Sequence, residues 1–215
     1  RILTVFLFFF FFFHASLTQP FYLQEDVRVL KSFDIDDDFL HDPHFREMKQ
    51  SIVAGYRKNR ILKKYEEAYI FIPILKDMIN EAGIPPAFLY LAMAESEFSV
   101  RAYSPKRAAG LWQFIPSTAR LYDLKIDTYV DERRDPIKST EKAIRFLKQL
   151  HGKFGKWYLG AIAYNCGPGR LDRAIRRAGT DDLGALLNAR KRYLPRESRN
   201  YIRKILSLAM AFNSV

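Results

Sequence analysis

Glu95 stands where a carboxylate is costly to ionise. It follows a strongly apolar stretch, Ala87 to Ala94, whose composition and spacing predict a helix. A carboxylate at the end of such a run leaves water behind, and burial disfavours its charged form. A carboxyl that holds its proton near neutral pH is what a glycosidic oxygen needs in order to leave. A little further on comes Gly110-Leu111-Trp112-Gln113-Phe114-Ile115-Pro116-Ser117-Thr118-Ala119. A Gly turn, an aromatic, an amide and then a Pro-Ser-Thr helix start suit a ligand-facing loop better than a core. Glu97 lies two residues beyond Glu95, so on a helix it faces away. It reads as a surface charge or a structural partner.

A third stretch, Ala163-Tyr164-Asn165-Cys166-Gly167-Pro168-Gly169, ends another apolar helix. In this order and at these separations the three pieces resemble the family 1 lytic transglycosylases of bacterial cell walls. That family shares a Glu-Ser pair, a Gly-Leu-(Met or Trp)-Gln loop and an Ala-Tyr-Asn-Ala-Gly turn. Ala102-Tyr103-Ser104-Pro105, the run Asp131 to Thr140, and Leu194-Pro195-Arg196-Glu197-Ser198-Arg199-Asn200-Tyr201 are similar to a membrane-bound subfamily. The likeness is good from about Ile72 to Phe212 and thinner from Val27 to Ile70.

The resemblance implies an all-α chain with the goose-type lysozyme fold. It implies Glu95 as the catalytic acid, with Ser104, Trp112, Gln113, Tyr164, Asn165 and Tyr201 at the substrate. Ser96 and Gly110 are supporting, Ser96 by fixing the Glu95 side chain. Gln113 can hold an N-acetyl group by both its oxygen and its nitrogen. Several positions have an alternative reading. Ser104 is also a turn residue before Pro105, Trp112 also a core aromatic, and either tyrosine also a core tyrosine. Arg107 stands where relatives tend to have Gly. Cys166, where the family usually has Ala, reads as a small buried thiol.

Hydrolysing glycosidases usually employ two carboxylates. These motifs supply one, which fits an intramolecular route on peptidoglycan glycan strands. Glu95 protonates the linking oxygen, the muramic acid N-acetyl group assists, and the sugar's own 6-hydroxyl closes a 1,6-anhydro ring. That route needs no cofactor and no metal. A hydrolytic muramidase is the alternative, with a second acid sought among Asp123, Asp127 and Asp131. A non-catalytic peptidoglycan-binding protein is the rival from another class.

The elements that must position these residues follow from periodicity and breakers. Ser16 to Asp26 reads as a linker, Phe45 to Tyr69 as one helix, and Ile72 to Ala82 as a second that stops at Gly83. Pro85-Pro86 opens the helix that carries Glu95. Further helices are expected from Pro116, from a start signal at Ser139-Thr140-Glu141, and over Trp157 to Tyr164. Leu171 to Ala178, Leu183 to Ala189 and Tyr201 to Phe212 complete the set. No alternating strand pattern and no metal-ligand cluster stands out.

At 215 residues, with 48% hydrophobic and 27% charged content, the chain has room for one domain and an extension. The run Ile2 to Phe13, apolar apart from Thr4, is too short for an ordinary membrane span. It fits a signal-peptide core or a retained anchor. The expected division is residues 1–20 as signal or anchor, 21–70 as helical extension and 71–215 as catalytic domain. Export to the bacterial envelope and periplasm follows from that reading, with membrane-surface association alongside it. A single cysteine excludes an internal disulfide. The net charge of +11 is concentrated between Arg145 and Lys204, where fifteen Lys or Arg face four Asp or Glu. Such a face is either a solvated surface or an attractor of polyanions. Anionic lipid and peptidoglycan carboxylates fit export, and nucleic acid does not.

Overall fold

The computed structural model describes residues 19–212. The Phe-rich run expected as a signal or anchor lies outside the described residues. The first helices are α1 (Gln19–Ser32), α2 (Pro43–Val53), α3 (Gly55–Glu67), α4 (Ile72–Glu81), α5 (Leu89–Ser96) and α6 (Pro116–Leu121). They are followed by α7 (Pro136–Phe154), α8 (Trp157–Cys166), α9 (Pro168–Ala178), α10 (Leu183–Leu186) and α11 (Arg196–Phe212). Among the described residues β pairing is confined to isolated bridges such as Tyr103 with Ala109 and Ala109 with Phe114. The chain is all-α, and no described helix is long and apolar enough to cross a membrane.

Two helices are apolar on every side, and such helices belong in an interior. They are α5, buried from Leu89 to Met93, and α8, buried from Tyr158 to Ala163. Around them pack amphipathic helices. α7 lies on α8, α4 on α5 and α7, and α11 touches α2, α5 and α8 together. One continuous core runs from Val29 to Phe212, so residues before 71 share it with those after. Two backbone links fasten the early segment further. Tyr158 N donates to Phe33 O at 3.1 Å, and Trp157 N to Asp34 Oδ2 at 2.7 Å.

Local chemistry sets the helix ends, and it corrects several boundaries. Helix α11, expected from Tyr201, already starts at Arg196, and α9, expected from Leu171, starts at Pro168. Helix α1 begins at Gln19, so the stretch expected as a linker is already helical by Gln19, with Pro20 in the first turn, where its missing N–H costs nothing. The helix expected over Phe45 to Tyr69 is two, because Ala54 is extended (φ −103°, ψ 137°) and Gly55 follows it. Helix α7 starts at Pro136, not at Ser139. Asp135 caps it by accepting from the Ile137 and Lys138 amides, each at 2.9 Å. Ser139 and Thr140 lie inside the helix, with hydroxyls turned back to the carbonyls of Asp135 and Pro136.

The end of α5 is the one place among the described residues where two successive non-glycine residues have positive φ. Glu97 (φ 53°) and Phe98 (φ 59°) are both left-handed, at a cost of about 1–2 kcal/mol each for non-glycine residues. Helix α3 holds this exit. Arg60 Nη2 pairs with Glu97 Oε1 at 2.6 Å, and Tyr65 meets the buried Phe98 ring edge-on at 6.0 Å. Glu97, read from sequence as a surface charge or structural partner, is the partner.

Asp42 ties α2 to α11. Its carboxylate caps α2 through Phe45 N at 2.6 Å and takes a two-point bond from Arg203, at 3.0 and 2.8 Å. Burial works to raise its pKa, but the Arg203 and Phe45 bonds win and hold it below the usual carboxylate range. Stability from this group is therefore present above pH 3.8 and is lost as pH falls below it. Arg203 is almost fully buried, so Asp42→Ala should leave a covered cation unpaired and cost about 2–4 kcal/mol. Asp42→Asn keeps the capping oxygen and should cost less. Urea denaturation of both variants at neutral pH measures the difference, which isolates the ion pair.

Candidate active site

Helix α5 delivers Glu95 one residue before its own end, out of the core and against α11. Residues Glu197, Tyr201 and Lys204 are spaced four and three apart, so they share one face of α11. That face fronts Glu95. Tyr201 donates its hydroxyl to Glu95 Oε1 at 2.5 Å. Lys204 Nζ donates to Ala94 O at 2.7 Å, filling one of the carbonyls that a helix end leaves without a partner.

These neighbours set the proton affinity of Glu95. Burial pushes its carboxyl up from the ordinary 4.5 to about 7. The Tyr201 hydrogen bond and the Lys204 charge pull it down, and the Glu197 charge adds to the rise. Glu95 nevertheless keeps some exposure, which a carboxyl that must reach a ligand requires. Tyr201 and Tyr164 are held firmly un-ionised, by burial first and then by the Glu95 charge. Both phenols therefore act as donors. The arrangement is an acid poised to give its proton near neutral pH, with a fixed donor on its other oxygen.

The Gly110 loop is locked to this acid. Ser96 Oγ donates to Leu111 O at 2.8 Å and to Ala92 O at 3.1 Å, so it joins the end of α5 to the loop. Tyr164 on α8 donates to Trp112 O at 2.7 Å. Gly110 (φ 78°) lies so close to Arg133 that a Cβ there would sit 1.7 Å from the Arg133 carbonyl oxygen. The buried Arg133 side chain binds the Asp131 carboxylate and donates to Arg107 O at 2.7 Å and Phe114 O at 3.0 Å. The loop and the Asp131 segment are thus one unit. Arg107 itself has φ 63°, the conformation in which a Gly would be unstrained.

Of the residues expected at a substrate, the structure brings Glu95, Tyr201 and Tyr164 together, with Ser96 and Gly110 supporting. Asn165 is oriented by Ser198, whose hydroxyl donates to Asn165 Oδ1 at 2.7 Å. Three others are engaged locally. Trp112 is fully buried with its indole N–H on Thr140 Oγ1 at 2.7 Å, which fits the core-aromatic reading of that position. Gln113 turns its amide nitrogen inward, donating to Gly110 O at 2.8 Å and more weakly to Ala102 O at 3.5 Å, so its oxygen is the atom left for a ligand. Ser104 Oγ accepts from Ala108 N at 3.1 Å and closes its own turn. The acids sought across a cleft are also engaged elsewhere. Asp131 holds Arg133, Asp127 accepts from Tyr129 and Val130, and the exposed Asp123 pairs with Arg145. Cys166 is partly buried, and burial pushes its thiol up, away from nucleophilic behaviour. Among the described residues no group of His, Cys, Asp and Glu is arranged to hold a metal ion.

Sequence reasoning missed Lys204, Glu197 and Arg133. The first two were countable, since they lie three residues after and four before Tyr201. Arg133 carried no such mark, because its role depends on a loop closing around it.

Opposite shifts should follow from the two flanking charges. Lys204→Met removes a charge that favours the carboxylate, so Glu95 should titrate higher, by about half a pH unit or more. Glu197→Gln should move it lower. Carbon-13 NMR of the Glu95 carboxyl reads both without an activity assay. Stability follows the same titration. Below pH 4.5 Glu95 is protonated whether folded or not, and between 4.5 and about 7 only the unfolded chain ionises it. At about 1.4 kcal/mol per pH unit, folding loses about 3 kcal/mol across that window and no more above it. Glu95→Gln should therefore be the more stable protein at pH 8 and close to equal at pH 4, as thermal melts at the two pH values will show.

Comparison with known proteins gives the family. Residues 73–185 match the model of the transglycosylase SLT domain. Over 169 residues the chain is 33% identical to the membrane-bound lytic murein transglycosylase D of Escherichia coli K12, covering 76% of this chain and 36% of that protein. It is 36% identical over 110 residues to an Alteromonas protein named for tributyltin chloride resistance, covering 51% of this chain and 52% of the relative. The chain thus spans about a third to a half of the length of these relatives. The structure of the 70 kDa soluble lytic transglycosylase of Escherichia coli superposes with a TM-score of 0.58 at 20% identity, over 79% of this chain and 29% of that one. At that identity the likeness speaks for the fold alone, which is lysozyme-like. With a match of more than half its length to the domain model, the chain belongs to the transglycosylase SLT domain family.

Proposed function

We propose that this domain is a peptidoglycan lytic transglycosylase. It cleaves the β-1,4 bond from N-acetylmuramic acid to N-acetylglucosamine without water and leaves a 1,6-anhydro end. The observation that carries the reading is Glu95 itself, a carboxyl raised to about 7 and hydrogen-bonded by Tyr201. Protonated Glu95 gives its proton to the glycosidic oxygen as the bond to the anomeric carbon breaks. The substrate's N-acetyl group supports the positive charge at that carbon, and the Gln113 oxygen side and Asn165 are the polar groups that orient the sugar. Ionised Glu95, steadied by the Tyr201 donor, then takes the proton of the 6-hydroxyl as its oxygen closes the ring. Each proton lost by Glu95 is regained, so the acid ends the cycle as it began. Ring closure within one sugar is favoured by proximity, which offsets the lack of a second carboxylate.

The hydrolytic reading needs an acid to activate water, and the engagement of Asp123, Asp127 and Asp131 elsewhere speaks against all three. Glu197 is the carboxylate whose charge reaches Glu95, so it is the residue a hydrolase would use. A purely binding role leaves the perturbed acid without a purpose. The names of the relatives point to the bacterial cell envelope. Within it we place the domain in the periplasm, exported by the apolar N-terminal run and associated with a membrane surface. Residues 21–70 serve as the helical extension that braces the catalytic part from residue 71 onward.

Purified sacculi treated with the protein should release muropeptides ending in 1,6-anhydro-N-acetylmuramic acid, lighter by one water than hydrolysis products by mass spectrometry. Glu95→Gln should abolish release while the protein still cosediments with sacculi. Tyr201→Phe should slow release at least tenfold, the effect of about 2–4 kcal/mol expected for one donor to a developing charge. Products with free reducing ends would make the enzyme a hydrolase and turn attention to Glu197.

A further inference from the structure

Helix α9 carries Arg170, Arg173 and Arg177, spaced three and four apart and so on one face of that helix. Across from them stand Arg192, in the segment leading into α11, and Arg196 and Arg199, in the first turn of α11. The six side chains line the two walls of a groove of about 630 Å³, with Ala174 and Leu194 between them. Arg177 lies 5.9 Å from the ring of Tyr193, so the walls meet at that end. No carboxylate lines the groove. Neighbouring arginines on other faces are matched, Arg176 with Asp172 at 2.8 Å and Arg203 with Asp42 at 2.8 Å. Burial, and then the charges of Arg203, Arg192 and Arg196, weaken the hold of Arg199 on its proton. Arginines gathered without acids repel one another, and a bound polyanion relieves that repulsion. Guanidinium groups also bind carboxylates in a fixed two-point geometry.

The shape of the groove narrows the choice of anion. From Arg170 to Arg177 the wall is seven residues of helix, about 10 Å long. That is the length of about three residues of extended peptide. A membrane presents headgroups in a plane and cannot fill a groove from both sides, whereas a slender chain can. The position points the same way. Helix α9 begins directly after the Asn165 turn, and Ser198, which orients Asn165, lies between Arg196 and Arg199. Both walls of the groove are therefore continuous in the chain with the residues proposed to hold the glycan. We propose that it is a subsite for the carboxylates of the stem peptide borne by the glycan strand being cut, an inference that rests on the transglycosylase reading above.

The test compares uncrosslinked glycan strands that carry their stem peptides with the same strands stripped by an amidase. Two double variants probe the two walls, Arg173→Gln with Arg177→Gln, and Arg192→Gln with Arg196→Gln. Each should lower the ratio of kcat/KM on peptide-bearing strands to that on stripped strands at least tenfold. Each should weaken binding of a fluorescently labelled stem tetrapeptide, read by anisotropy, by a similar factor. Thermal melts should match the parent protein. An unchanged ratio, or an equal loss on both strands, overturns the proposal. Loss of cosedimentation with phosphatidylglycerol vesicles at an unchanged ratio also overturns it and makes the groove a lipid site. If the parent protein cuts neither strand, the transglycosylase reading fails, and tetrapeptide anisotropy alone decides whether the groove binds the peptide.

Discussion

A carboxyl that keeps its proton near neutral pH must be screened from water without being neutralised by a cation. This constraint shapes the centre of the molecule. Helix α5 is apolar on every side so that its last turn emerges from the core, and Glu95 sits on that turn. Lys204 is close enough to cancel the burial effect if it paired directly with the carboxylate. Its ammonium instead donates to the Ala94 carbonyl, so the charge acts at one remove and the acid keeps its raised affinity. Tyr201 supplies the direct contact, and a phenol donates a hydrogen bond without bringing a full charge.

Holding an acid in this state requires its backbone to be held too. The two left-handed residues after α5 would relax if nothing opposed them, and α3 opposes them through Arg60 and Tyr65. The other side is held by the Gly110 loop. Only Gly fits against the Arg133 carbonyl, and the Arg133 guanidinium gathers Asp131, Arg107 and Phe114 around itself. An extension remote in sequence and a loop fifteen residues on thus act on one rotamer. Strain at a site persists where surrounding contacts over-determine it, and these do.

Much of this could be read from the residues. Apolar periodicity located most of the helices, and the Glu95, Tyr164 and Tyr201 stretches came together as the family likeness implied. The misses share a cause. Helix starts were assigned to Ser139 because hydroxyls favour caps, yet the acid four residues earlier was the better cap and Pro136 already began the helix. Polar type also suggested a ligand role for Ser104 and Gln113, while their hydrogen bonds close the loop they belong to. Sequence gives a side chain's capacity to bond, not the partner that reaches it first. Trp112 illustrates the same point, since burial of its ring depended on Thr140 waiting inside α7. Counting charge by stretch hid Lys204 in a basic segment, where counting by helix register would have set it beside Tyr201.

Register on α11 also explains how one helix serves two electrostatic purposes. Glu197, Tyr201 and Lys204 face the acid, where opposite charges balance around it. Arg196, Arg199 and Arg203 lie on the adjoining face, turned to the arginine groove and to Asp42. Were the two sets mixed, the guanidinium groups would stabilise the Glu95 carboxylate and lower its pKa toward the ordinary range. Separation by helix face keeps the acid protonated while leaving a strongly cationic surface beside it. The Asp42 ion pair then takes on a second meaning. By fixing the α11 face that carries Arg203, it fixes the rotation of the helix, and with it which charges Glu95 meets.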